Sequence, residues 1–162
     1  MQKKSLRILI TEECNFNCAY CCNKMPKVRR CFRYKKLNDI NFRKYDSICI
    51  TGGEPFKYIG RMSYVAWKAA DFVQNQYLYT NGSLINSLNF KMLRWFDGVS
   101  VGVHDELPVE QIKFLTTINN VRFLIDREKV ERYRDIIHLD RIKLYTLNEC
   151  YETDREDWVV LK

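Results

Sequence analysis

Cys14, Cys18 and Cys21 stand in a C-x3-C-x2-C spacing on a polar stretch, Thr11-Glu12-Glu13-Cys14-Asn15-Phe16-Asn17-Cys18-Ala19-Tyr20-Cys21. Thiolates this close in sequence share one loop and suit a soft metal. A structural zinc site closes with four ligands, often as two C-x2-C pairs, so zinc here needs a fourth donor, for which Cys31 is the open candidate. Three thiolates can instead hold three irons of a [4Fe–4S] cluster and leave the fourth iron open. An open metal position points to chemistry rather than scaffolding. Cys22, Cys49 and Cys150 read as structural thiols, since free cysteine behaves as a small buried hydrophobe. The chain has seven cysteines, an odd number, four of them crowded between positions 14 and 22. That pattern fits metal-binding thiolates in a reducing cytoplasm better than a secreted disulfide scaffold.

A second chemical signal follows about thirty residues later in Thr51-Gly52-Gly53-Glu54-Pro55. Two glycines let backbone come close to a ligand. Glu54 can accept hydrogen bonds or pair with a cation, and Pro55 stiffens the turn. A third is Tyr79-Thr80-Asn81-Gly82. In Val99-Ser100-Val101-Gly102-Val103-His104, alternation puts the valines on one face and Ser100, Gly102 and His104 on the other, which makes Ser100 and His104 site candidates. His104 can equally satisfy a strand end or cap the next helix.

The elements needed to position these residues are legible as alternation. Strands are expected at Leu6–Thr11, Ser47–Thr51, Gln76–Thr80, Gly98–His104, Asn120–Asp126 and Arg141–Leu147. Helices are expected at about 37–45, 61–74, 86–96, 106–118 and 128–138. Six β units with α connections argue for an α/β fold with parallel strands and right-handed crossovers. At 162 residues the chain is too short for an eight-unit barrel, which takes about 250. No repeat or linker divides it, so 1–162 reads as one domain. Gly52, Gly53, Gly82 and Gly102 fall at or near the carboxyl ends of predicted strands, the edge where such folds bind ligands.

Taken together, the motifs resemble the radical S-adenosylmethionine (SAM) superfamily. Cys14, Cys18 and Cys21 match its cluster spacing, Tyr20 is the aromatic before the third cysteine, Gly52-Gly53-Glu54-Pro55 matches its GGEP motif, and Thr80-Asn81-Gly82 stands where such sequences are common. The resemblance implies a partial (β/α)6 barrel in which the three cysteines bind three irons of one [4Fe–4S] cluster and SAM chelates the fourth. It further implies that Tyr20, Gly52, Gly53, Glu54, Asn81 and Ser100 lie at the cofactors, with Ser100 near the SAM ribose or carboxylate and His104 a catalytic candidate facing substrate. The implied reaction is reductive cleavage of SAM to a 5′-deoxyadenosyl radical that takes a hydrogen atom from a substrate. The compact size also suits an activase of a glycyl-radical enzyme, and a non-catalytic zinc module is the reading from another class.

The chain carries 27 Lys and Arg against 20 Asp and Glu, a formal net charge of +7. Seven of the basic residues, Lys24, Lys27, Arg29, Arg30, Arg33, Lys35 and Lys36, lie in 24–36 with no acid among them, leaving 20 of each sign elsewhere. A basic coat over the whole surface is therefore excluded. The segment can be a solvated loop, a dock for an acidic electron donor such as a flavodoxin or ferredoxin, or an attractor of a phosphate-bearing substrate or nucleic acid, for which Phe32 and Tyr34 interleave with the arginines. No run of 18 apolar residues and no secretory leader is seen, so a cytoplasmic protein without a membrane span is expected. The tail Trp158-Val159-Val160-Leu161 is expected to cover an edge of the incomplete barrel or to mediate self-association.

Overall fold

The computed structural model describes residues 4–19, 21–104, 107–145 and 156–162. Tyr20, Cys150 and the ends of the predicted strand 141–147 and helix 106–118 lie outside them. Within the described residues, one eight-stranded sheet organises the chain, all of its pairs parallel. Its strands are β1 (Ser5–Leu9), β2 (Phe32–Lys35), β3 (Ser47–Thr51), β4 (Asn75–Thr80), β5 (Gly98–Gly102), β6 (Val121–Asp126), β7 (Ile142–Tyr145) and β8 (Glu156–Leu161). The spatial order is β2-β8-β1-β3-β4-β5-β6-β7. The six predicted strands are thus β1 and β3 to β7, contiguous and in sequence order. This is the α/β parallel core that the alternation implied.

Period-two alternation sorts the two faces. One face carries Leu6, Ile8, Ile48, Ile50, Leu78, Val99, Val101, Val121, Phe123 and Ile125, all buried in the main core. It packs under α2 (Ile59–Ala69) through Met62, Val65, Ala66 and Ala69, and under α3 (Val109–Thr116) through Ile112 and Leu115. Val103 joins them, so the valine face of β5 faces the helices as expected. The opposite face is polar. Arg7, buried to 7%, lies between the rings of Tyr79 and Trp158, its guanidinium carbon 4.8 Å from each centroid, and donates to both Glu156 oxygens at 2.7 and 3.2 Å.

Three expectations change. First, the tail does not cover an edge: residues 156–161 form β8, a strand inside the sheet between β1 and β2. Trp158 and Val160 bury with Leu9, Phe32 and Val28 of α1 (Pro26–Arg29) in a second cluster, while Val159 and Leu161 join the main core. Second, the basic segment contains an edge strand, β2. Only Phe32 of its four residues is buried, so no hydrophobic period marks it, and exposed Arg33 and Lys35 are the charges that keep an edge from pairing with other chains. Third, three expected helices are short 3-10 turns, at Phe90–Trp95, at Arg127–Arg132, and at Leu37–Asp39 with Phe42–Lys44. Local side-chain bonds compete with helix there: Asn86 accepts from the backbone N–H of Leu88 and Asn89, Asn41 from that of Arg43, and Asp126 from that of Glu128.

The Arg7 and Glu156 pair supplies a test of β8. Removing one partner of a buried ion pair strands the other charge, at about 3 to 5 kcal/mol. Glu156→Ala should lower the urea stability toward the bottom of that range, because the Glu156 side chain keeps 22% exposure. An unchanged midpoint would mean that the pair does not hold β8 in place.

Candidate functional site

Beyond β1 the chain enters the cysteine loop at the carboxyl edge of the sheet, and the GGEP turn leaves β3 beside it. Ladder pairing continues past both strands: Ile10 N–H donates to Thr51 O at 3.0 Å, Gly53 N–H to Thr11 O at 2.8 Å, and Glu54 N–H to Glu13 O at 2.7 Å. The two glycines are what permit this approach. A Cβ on Gly52 would sit 2.5 Å from Thr11 O, and one on Gly53 would sit 1.8 Å from Glu13 O and 2.8 Å from Cys14 N. The free space at the glycines is therefore filled by the cysteine loop itself. Asn23, just past the cysteines, donates its side-chain amide to Gly52 O at 2.6 Å and ties the far end of the loop to the same turn.

Glu54 is fully buried and works as a staple. Its Oε1 accepts from Phe56 N–H at 3.0 Å and from the Thr80 hydroxyl at 2.7 Å, and its Oε2 accepts from Asn81 N–H at 2.8 Å. The end of β3 is thereby fixed to the end of β4. Burial pushes the carboxyl pKa above its ordinary value of 4.5, with the three hydrogen bonds pulling the other way. Asn81 extends the chain of bonds into the cysteine loop. Its amide nitrogen donates to Asn15 Oδ1 at 3.0 Å and lies 3.7 Å from the Cys14 sulfur, while its oxygen accepts from the Ser83 backbone and hydroxyl. Asn15 donates in turn to the Ser83 hydroxyl at 2.8 Å.

Cys14 is exposed, and Cys18 and Cys21 are half-buried. The Cys21 thiol is pulled down to about 6, first by a hydrogen bond from Cys22 and further by backbone N–H groups of Asn23 and Lys24 and by the Lys24 charge, against the opposing effect of burial. Lys24 also clips the loop, its ammonium 2.7 Å from Asn17 Oδ1 and 3.3 Å from Cys18 O. Among the described residues no three His, Cys, Asp or Glu side chains converge into a metal-holding group, so the three thiols share one loop without being drawn together. The donor set nonetheless has the chemistry of a soft-metal site: three uncrosslinked thiols, one of them acidic, with N–H donors aimed at sulfur. Cys49 differs, since burial pushes its thiol up to about 11 and keeps it protonated beneath the sheet face.

On β5, Ser100 is buried and accepts from Arg122 Nε of β6 at 2.8 Å. The His104 ring folds over Gly102, where a Cβ would lie 2.9 Å from its Nε2, and meets Phe16 of the cysteine loop edge to face at 6.2 Å. The structure thus gathers Cys14, Gly52, Gly53, Glu54, Asn81 and His104 around one loop, with Ser100 lower on the polar sheet face; Tyr20 lies outside the described residues. Sequence reasoning missed Asn15, Asn23, Ser83 and Arg122. Alternation along β6 puts Arg122 on the Ser100 face once β5 and β6 are paired, but no motif marks the three smaller residues.

No family model matches the chain, and no curated protein matches it. Solved structures do. SuiB of Streptococcus suis bound to S-adenosylmethionine superposes with a TM-score of 0.59 at 13% identity, over 98% of this chain and 47% of that one. SuiB bound to precursor peptide SuiA gives 0.59 at 14% identity, over 98% and 48%. A further crystal structure of SuiB gives 0.56 at 15% identity, over 98% and 49%. The chain spans about half the length of these neighbours and shares their fold.

Glu54 generates a measurable signature. Because its carboxyl binds a proton more tightly folded than unfolded, its contribution is complete below 4.5 and is lost as pH rises through the raised folded value. Glu54→Gln should remove that pH dependence. It should also cost about 1 to 3 kcal/mol at neutral pH, since an amide N–H would face groups that all donate. Denaturant titrations from pH 4 to 8 read both, and parallel curves for the two proteins would refute the assignment.

Proposed function

We propose that the chain is a radical SAM enzyme that carries one [4Fe–4S] cluster on Cys14, Cys18 and Cys21 and cleaves SAM reductively. The observation that carries the reading is the backbone ladder joining the GGEP turn to the cysteine loop, Gly53 to Thr11 and Glu54 to Glu13. It brings the GGEP turn and the C-x3-C-x2-C loop side by side at one sheet edge, which supports the reading. Likeness in fold to SuiB, whose structure holds S-adenosylmethionine, supports it.

A [4Fe–4S] cluster held by Cys14, Cys18 and Cys21 would, when bound and reduced by an external donor, supply the one-electron chemistry for reductive cleavage of SAM. This chain's own residues bind and orient. The GGEP turn presents its backbone to the SAM amino group. Glu54, anchored by Phe56, Thr80 and Asn81, keeps that turn from yielding when a ligand arrives. Ser100 and Arg122 offer a hydroxyl and a guanidinium to a carboxylate, a pairing that suits Arg geometry. His104 and Phe16 wall the loop on the β5 side. The substrate is the molecule that meets the rest of the polar sheet face.

The basic segment docks the electron donor. Lys24 lies on the cysteine loop and Arg29 reaches Glu12 of the same loop at 3.5 Å, with Lys27, Arg30 and Arg33 exposed beside them. An acidic redox protein, such as a flavodoxin or ferredoxin, finds there the charge that speeds its approach.

Anaerobic reconstitution should give a [4Fe–4S] spectrum and, on reduction, SAM-dependent 5′-deoxyadenosine. Ala at Cys14, Cys18 or Cys21 should abolish both. Gly53→Ala should keep the thiols but lose SAM cleavage, because its Cβ pushes the two loops apart. Stoichiometric zinc without iron or sulfide in oxygen-free protein would replace this reading with a zinc module. Neutralising Arg29, Arg30 and Arg33 together should slow reduction by a flavodoxin and spare cleavage driven by dithionite; equal losses in both assays would exclude docking there.

A further inference from the structure

Of the two aromatic residues expected to interleave with the basic segment, Tyr34 is exposed to 47% but Phe32 is buried, and the most open ring of the described residues lies elsewhere. Phe32 is buried and stacked on Trp158 at 6.0 Å, whereas the outer face of α2 exposes Tyr64 to 51% and Trp67 to 71%. Their rings stack on each other, centroids 5.8 Å apart and planes at 22°. This face is turned away from the core, which takes Met62, Val65, Ala66 and Ala69 from the same helix.

Cations flank two of the rings on this side. Lys68 Nζ lies 6.0 Å from the Tyr64 ring and bonds Asn38, and Arg43 lies 4.8 Å over Phe72, itself 40% exposed. At the other end of the helix Arg61 donates to Lys162 O, and Lys162 N–H donates to Lys35 O, which carries the strip back to the basic segment. Residues 35–44 and 59–72 hold six basic groups, Lys35, Lys36, Arg43, Lys44, Arg61 and Lys68, against two acids, Asp39 and Asp71.

We infer that this strip, Tyr64, Trp67 and Phe72 with Arg43, Lys68 and Arg61, is a binding surface for single-stranded nucleic acid. A polyanion is favoured by the charge, and the rings decide which one. An acidic peptide needs the cations alone and gains little from an open indole face, whereas each base has a π-face to lay on an aromatic ring while its phosphate meets the neighbouring cation. The stacked Tyr64 and Trp67 rings on α2 and the Phe72 ring just past its end, with Lys68 and Arg43 beside two of the three, offer both parts of such a contact. The strip lies on the helical side of the sheet, opposite the polar face, so it is independent of the radical SAM reading.

The test uses the whole chain and a fluorescein-labelled oligo-dT of about 12 nucleotides, within the usual footprint of such surfaces. Fluorescence anisotropy should show binding that weakens steadily with salt. Trp67→Ala should weaken it at least about fivefold, the lower end of one lost base stack. Arg43→Glu with Lys68→Glu should flatten the salt dependence without touching a ring, and circular dichroism should be unchanged in every variant. No binding of the oligonucleotide, equal binding of Trp67→Ala, or equal affinity for a labelled polyglutamate peptide would each overturn the inference, the last in favour of an acidic protein partner.

Discussion

The close contact between two backbone segments, the start of the cysteine loop and the GGEP turn, is the constraint around which the rest is arranged. A loop rich in thiols and polar side chains has no core of its own, and entropy works against a fixed shape. Here its shape is borrowed from the sheet. Main-chain bonds to Thr11 and Glu13, the Asn23 amide on Gly52 and the Asn15–Ser83–Asn81 bonds hold it along most of its length. Glycine at 52 and 53 is required because any Cβ would occupy the space of the loop's own carbonyls. The turn is therefore a scaffold for the cysteine loop.

The two faces of the sheet divide the labour. The helical face is continuous hydrocarbon, as a parallel sheet covered on that side demands. The other face is mixed: Leu9, Phe32, Trp158 and Val160 form a small second core with Val28 at the β2–β8–β1 end, while Arg7, Cys49, Tyr79, Ser100 and Arg122 make the rest of it polar. Arg7 closes part of it by satisfying its charge with Glu156 and its flat faces with two aromatic rings. Higher on the same face, the Arg122 side chain stays open to solvent, with Ser100 steering it. A structural guanidinium and a ligand-ready one thus share a surface and differ in what surrounds them.

Much of this was readable in the sequence, for physical reasons that can be stated. β1 and β3 to β6 are short apolar runs bounded by turn residues, and the alternation Val99-Ser100-Val101 gave the faces of β5 directly. The placement of glycines at strand ends marked the edge where the GGEP turn meets the cysteine loop. β2 and β8 were not readable as strands, because pairing between segments far apart in the chain leaves no local period. The segment 86–96 reads as a helix by apolar spacing, yet Asn86 and Asn89 bond their own backbone and tighten it into 3-10 turns. Asn15, Asn23 and Ser83 act through single hydrogen bonds to distant backbone or side chains, a role that residue type alone cannot reveal.

The place of β8 inside the sheet also sets an order of events during synthesis. β1 precedes β8 in the chain, and its Arg7 meets Glu156 across 149 positions. Among the described residues β2 pairs only with β8. Until residues 156–161 emerge, one side of β1 is an open edge and β2 has no partner at all, while β3 to β7 can add to β1 one after another. The strand beside the cysteine loop is thus enclosed on both sides only when β8 docks, so the loop is laid down on a sheet still open along β1.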